Sequence, residues 1–336
     1  MENWKKNLSP DLWASLNRLQ ETSAWTTLKI PVFLALWLLF GTIAVKAESL
    51  AVRVPCWLII GFVLHGLGVF MHEGAHGSLF RNGPWDRLVG FLCGLPVFFP
   101  CSSYRATHLM HHRYENTVRD PDNLNNFPVP VLRTLIFYTW FLIGMPVYIA
   151  MVIVLGPFRA DGWKNKALAV LEPLGIAAFY VALFRLSAHY SWGNVLLNGW
   201  ALALPFTVMI ANFRGLAEHT QLYLTKPPDP LRSTRSLPSN AWVGFFFNNQ
   251  NYHLEHHLFP RIPWNHLGKV HEILKPLYRE KQAAVCKSYW EWARHALRYG
   301  PERKFTYDAS FRAIPDRAPL PATDYTTLPN KAIASS

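Results

Sequence analysis

Five stretches of the chain are almost wholly apolar: residues 30–45, 54–70, 134–155, 168–187 and 193–213. They are too long and too poor in charge to be ordinary core helices. A helix needs roughly 20 apolar residues to cross the hydrocarbon layer, so each run is eligible by length or nearly so. The pattern predicts an all-α integral membrane protein. Ahead of the first run, Ser9 and Pro10 read as a helix N-cap followed by proline at the first helical position. Leu12, Leu16 and Leu19 then share a face with Trp13 beside them, which predicts an amphipathic helix lying on the membrane. Residues 1–28 hold no apolar core followed by a small-residue cleavage site, so no cleavable signal is expected.

Composition agrees with this picture: 51% of the 336 residues are hydrophobic and 15% aromatic. The four cysteines, Cys56, Cys93, Cys101 and Cys286, have no CxxC spacing, so neither a disulfide framework nor a thiolate metal site is indicated. Charge adds orientation. Seventeen of the 33 Lys and Arg residues follow Phe213, which predicts a cytoplasmic C-terminal segment. The first 29 residues carry four more and are expected on the same side. Two ends on one side require an even number of crossings, whereas five apolar runs are present. Residues 134–155 are the best candidate for a run that lies along or dips into the membrane. They contain Pro146 beside Gly144 and Met145, and Arg159, Lys164 and Lys166 follow. Four crossings result, with a loop at His189–Trp192 on the outside.

The chemistry sits in the histidines. Fourteen are present, and eight form three tight groups: His72 and His76 in MHEGAH, His108, His111 and His112 in THLMHHRYEN, and His253, His256 and His257 in NYHLEHHLFP. Residues three and four apart share a helix face, so each group aims its imidazoles into a common space. One HxxxH pair is a weak signal, but two HxxHH groups in one chain are a strong one. Imidazole-rich sites suit iron, copper or zinc. Eight ligands exceed the need of one ion, which makes two metals the simpler reading. A ninth histidine, His219 in FRGLAEHT, lies just past the last apolar run, and Arg214 and Glu218 beside it are spaced i, i+4. Ionisable residues at that depth are costly and more often functional than not. For that pair, a structural ion pair and a role behind the metal ligands weigh about equally. His65 falls on the His72 face two turns earlier, while His189, His266, His271 and His295 lack the spacing and read as structural.

At these groups the chain resembles the membrane fatty-acid-desaturase superfamily, over about residues 30–280. HEGAHGSLF is similar to the first histidine box of acyl-lipid desaturases. HLMHHRYEN, with the later acidic DPD that begins at Asp120, is similar to the second, and NYHLEHHLFPRIPW to the third. GMPVY also has a counterpart there, which supports 134–155 as the run that does not cross. The resemblance implies that His72, His76, His108, His111, His112, His219, His253, His256 and His257 ligate two non-haem iron ions, with O2 as co-substrate. In stearoyl-CoA-type desaturases an asparagine contributes through water four residues before the lone histidine. Here that position is Gly215, so Asn212, Asn249 or Glu218 is the candidate replacement, with Arg214 and Asp120 as further supporting residues. No HPGG-type haem motif occurs, so electrons are expected from a separate ferredoxin or cytochrome with its reductase, and no nucleic-acid partner is expected.

The expectation is therefore four transmembrane helices with a cytoplasmic helical cap holding a di-iron site, plus interfacial helices. The chain divides into an N-terminal amphipathic segment (1–29), a membrane desaturase-like domain (30–299) and a partly disordered tail (300–336). A fatty-acyl desaturase comes first. The same scaffold could serve a hydroxylase or ketolase on an alkane or carotenoid, or a decarboxylase making a terminal alkene. A metal transporter ranks far lower, because its ligands would lie within the spans.

Overall fold

The computed structural model describes residues 8–115, 117, 119–121, 129–222 and 229–315. In chain order they form α1 (Pro10–Arg18), α2 (Lys29–Lys46), α3 (Leu50–His76), α4 (Gly83–Gly94), α5 (Cys101–Tyr114), α6 (Pro130–Arg159), α7 (Gly162–His189), α8 (Gly193–Gly199) and α9 (Leu204–His219). The remaining elements are α10 (Pro230–Ser233), α11 (Ala241–Phe246), α12 (His253–Leu258), α13 (Leu267–Lys281), α14 (Tyr289–Tyr299), β1 (Phe305–Tyr307) and β2 (Ala313–Pro315). The Ser9 side chain accepts from Leu12 N at the start of α1, with Pro10 at the first helical position, as the sequence predicts.

Five segments are long and apolar enough to cross a membrane: Trp25–Lys46, Leu50–His76, Pro130–Arg159, Gly162–His189 and Gly193–His219. They carry large apolar side chains on their outer surfaces, among them Leu38, Val131, Leu142, Phe158, Leu174 and Val181, each more than half exposed. A belt of that extent is stable only against lipid or another protein. α6 is one continuous helix of 30 residues, and neither Pro146 nor Pro157 ends it. α4 and α5 form a pair bent by 98°.

α3 is the axis of the molecule. Phe33 of α2 packs on Phe70 of α3 and on Phe245 and Phe246 of α11. At its far end α3 closes on α4 through glycine. A Cβ on Gly74 would stand 2.5 Å from Asp86 O and 2.8 Å from Gly90 Cα, so the sequence HEGAH needs its glycine for packing. Gly77 then ends the helix in the left-handed region at φ 71°. The Asp86 carboxylate holds the next turn by accepting from the backbone of Leu79, Phe80 and Asn82.

A second apolar core lies outside the long helices: Leu16 of α1 with Leu254, Leu258, Ile262, Leu267, Val270, Leu274 and Tyr278. Residues 300–315, the start of the segment expected to be a partly disordered tail, are folded. β1 and β2 pair antiparallel, Thr306 opposite Ile314, with Phe305 and Tyr307 buried. Arg235, itself fully buried, ties this hairpin to the end of α9. It donates to Tyr307 Oη at 2.6 Å, to Thr220 O at 3.0 Å and to Ala217 O. The rest of that tail, and Lys5 and Lys6, lie outside the described residues.

Candidate metal centre

The three histidine groups come from elements far apart in the chain, and the fold brings them to one place. His72 and His76 stand on the last turns of α3, His108, His111 and His112 on the last turns of α5, His219 at the end of α9, and His253, His256 and His257 on α12. Nitrogens of His72, His76, His108, His112 and His256 all lie within 4.8 Å of one another. Nitrogens of His111, His219 and His257 form a second such set, and His219 and His253 form a third with a Glu218 oxygen. The sets adjoin, since the His112 and His257 rings stack at 4.1 Å.

The spacing of these nitrogens tests whether a metal fits. His108 Nε2 and His112 Nε2 are 3.0 Å apart, and His112 Nε2 and His256 Nε2 3.2 Å. In the other group, His219 Nε2 and His253 Nε2 are 2.8 Å apart, and His253 Nε2 and His257 Nε2 3.2 Å. Two imidazoles bound at right angles to one ion, each at about 2.1 Å, are about 3.0 Å apart. The Nε2 atoms of His72 and His76 are buried without any hydrogen-bond partner. A buried imidazole nitrogen left so is costly, and a cation among them would satisfy it. The donor set fits metal ions.

Carboxylates stand behind the rings. His111 Nδ1 donates to Asp120 Oδ1 at 2.9 Å. His257 Nδ1 is 3.2 Å and His219 Nδ1 3.9 Å from Glu115, and His253 Nδ1 is 3.5 Å from Glu218. The Asp120 hydrogen bond keeps the His111 proton on Nδ1 and leaves its Nε2 lone pair for a metal, while Glu115 and Glu218 set negative charge beside the other rings. Burial drives His108, His112, His253 and His256 well below the usual histidine range. Burial lowers His257 too, with Glu115 opposing. Neutral imidazole is the form that binds metal.

The supporting residues proposed from sequence divide. Arg214 and Glu218 pair at 3.4 Å, and Tyr289 Oη donates to Glu218 at 3.5 Å. Asp120 meets His111 directly. Asn212 lines the cavity beside the histidines, but its amide donates to Phe141 O. Asn249 is not brought to the histidines. Its backbone sits at φ 52°, and its side chain lies against Gly244 in another pocket, with Lys29 and Trp264.

Two contributors escaped the sequence reading. Glu115 was visible only as the acidic residue four after His111. Glu73, buried next to His72, accepts from Ser78 Oγ at 2.8 Å and Gln250 Nε2 at 2.7 Å, which joins the first box to the loop before the third. His271 is structural, as expected, in a 2.6 Å hydrogen bond to Glu255. His65 lines the cavity, its ring 4.7 Å from that of Phe247.

That cavity, about 350 Å³, opens from the histidines between α3, α6 and α9. Leu64, Val69, Val97, Phe99, Met145 and Tyr148 line its apolar part, and Arg133, Gln221, Glu302 and Lys304 line a polar end. Tyr104, stacked on His108 at 4.6 Å, forms the wall next to the histidines.

Comparison with known proteins gives one family. The fatty acid desaturase model matches residues 48–290. The chain is 24% identical over 282 residues to the DES1-like sphingolipid delta(4)-desaturase of Oryza sativa subsp. japonica, covering 81% of this chain and 77% of that protein. It is 28% identical over 234 residues to the sphingolipid delta(4)-desaturase DES1 of Drosophila melanogaster, covering 66% and 68%. The sn-1 oleoyl-lipid 12-desaturase of Picosynechococcus sp. is 26% identical over 223 residues, covering 66% of this chain and 56% of that one.

Proposed function

The chain belongs to the fatty acid desaturase family, a family of membrane oxidoreductases acting on lipids, and from that premise we propose that it introduces a C=C bond into a long-chain lipid by an O2-dependent, di-iron reaction. The observation that carries this reading is the junction of nine converging imidazoles with an apolar cavity. His72, His76, His108, His112 and His256 would hold one iron, and His111, His219, His253 and His257 the other. Iron bound there supplies the capacity to activate dioxygen and remove hydrogen from an unactivated C–H bond. The protein's part is placement. The apolar wall from Leu64 to Phe99 takes the hydrocarbon chain and excludes water, and Tyr104 limits how closely the chain approaches His108. Holding one methylene in register is a rate contribution that the protein's own residues supply. The polar end at Arg133, Gln221 and Glu302 suits a headgroup. Relatives named for sphingolipid and acyl-lipid substrates support a membrane lipid as the substrate class.

The same convergence supports an orientation. The histidine ends of α3 and α9 meet at one cluster, which favours both facing the same side of the membrane. If α2, α3, α7 and the α8–α9 unit cross, α6 begins and ends on the histidine side and lies along or dips into the bilayer. Positive charge favours the cytoplasm for that side and for both termini, and a separate ferredoxin or cytochrome with its reductase would deliver electrons there. The three segments 1–29, 30–299 and 300–336 remain our division of the chain. Expression with a redox donor, followed by mass spectrometry of the host lipids, tests the reaction. Products that have lost two hydrogens are expected. Products that have gained one oxygen, or lost a carbon, would replace desaturation with hydroxylation or decarboxylation.

A further inference from the structure

The two groups of imidazoles are alike in ligand type but not in what stands behind them. In the group of His111, His219, His253 and His257, every Nδ1 lies within 3.9 Å of a carboxylate, supplied by Asp120, Glu115 and Glu218. All three acids are buried, and Glu115 serves two rings at once. In the group of His72, His76, His108, His112 and His256, only His72 has a carboxylate neighbour among the described residues. That neighbour is Glu73 at 3.5 Å, which already accepts from Ser78, Gln250 and the backbone of Trp264. A cation stands close to this group instead: the Arg105 guanidinium donates to Ala75 O, one residue before His76. Arg214 offsets one of the three acids on the other side through its pair with Glu218, which leaves an excess of negative charge there.

We infer that the two metal positions are unequal, and that Glu115, Asp120 and Glu218 make the His111/His219/His253/His257 position the one that fills first. This rests on the two-metal reading above. Asp120, which accepts the Nδ1 hydrogen bond of His111, makes that imidazole a stronger donor, and the charge of all three acids adds attraction for a bound cation in a medium of low dielectric. The five-imidazole position has one more ligand but lacks that field, so it binds later. The same field favours the more highly charged ferric state at the acidic position. Glu115, Asp120 and Glu218 are thus positioning residues, acting on the metal through histidines.

The test is stepwise metal binding. The full chain, stripped with a chelator in lipid nanodiscs, is titrated with cobalt(II) and followed by its ligand-field absorption. Wild type should take up two ions per chain in two resolved steps. Glu115→Gln and Asp120→Asn should each weaken the first step about 10- to 100-fold and leave the second near its wild-type value. Glu73→Gln should spare the first step. Merged steps in wild type, or Glu115→Gln and Asp120→Asn acting on both steps equally, would overturn the inference. Both variants lie just after α5 but touch different rings, His257 and His111, so if one fails to fold the other reads the same step. Uptake of a single cobalt per wild-type chain would instead overturn the two-metal reading itself.

Discussion

Glu255 stands next to His256 on α12, yet its carboxylate receives the Nδ1 proton of His271 on α13 at 2.6 Å, and both side chains are buried. Its other oxygen accepts from Ser236 Oγ, which in turn accepts from Leu254 N. The third histidine box is thereby anchored, through its one acidic residue, to the second apolar core.

Removing one partner of that pair leaves the other buried and uncompensated, which costs about 3–5 kcal/mol. His271→Ala should therefore destabilise the protein by that order in denaturant unfolding, and metal content measured on the purified variant should fall. Unchanged stability with full metal content would show that α12 is held by other contacts.

Gly74 has no room for a side chain between α3 and α4. Overpacking of a tight helix contact typically costs about 1–3 kcal/mol, so Gly74→Ala should lower the thermal midpoint and loosen the first box. Gly215, inside α9 with nothing within 4 Å of an added Cβ, is the contrast: Gly215→Ala should hold or raise the midpoint, since alanine favours a helix interior by about 0.5–1 kcal/mol.

Acid should unfold the metal-free protein. His108, His112, His253 and His256 have folded-state pKa values depressed by burial, while the unfolded chain titrates near about 6.5. Above that value neither state binds the protons. Below it the unfolded state binds them and the folded state does not, so stability falls as pH falls. Thermal midpoints of chelator-stripped protein at pH 8 and pH 5.5 check this, and a flat profile would mean that these rings are solvated.

Topology can be read at the α7–α8 turn, where Tyr190 is exposed. All four native cysteines are buried, so Tyr190→Cys gives a clean target for a membrane-impermeant thiol reagent. Labelling from the outer side is expected. Labelling only after the cytoplasmic side is opened would break the four-crossing arrangement.

The histidine cluster was legible because histidine spacing on a helix carries its own geometry: His108, His111 and His112 must share a face wherever α5 lies. Their carboxylate partners were not, because the Glu115–His257 contact spans more than a hundred residues and follows from how α5 meets α12. Asn249 sits in another pocket for a local reason: a left-handed backbone turn sets its side chain against Gly244. The β1–β2 hairpin was missed because three-residue strands give too little alternation to read. What folds it is Arg235, seventy residues earlier, whose burial no pattern in the tail announces.

α3 carries one more consequence. Its 27 residues extend about 40 Å at 1.5 Å per residue, against a hydrocarbon layer of about 30 Å. At its other end Ser49 lies three residues past α2, so little of the excess can fall there. If α3 crosses as proposed, its length sets how far beyond the lipid tails its terminal histidines stand, and a lipid substrate would have to reach up along the cavity to meet them.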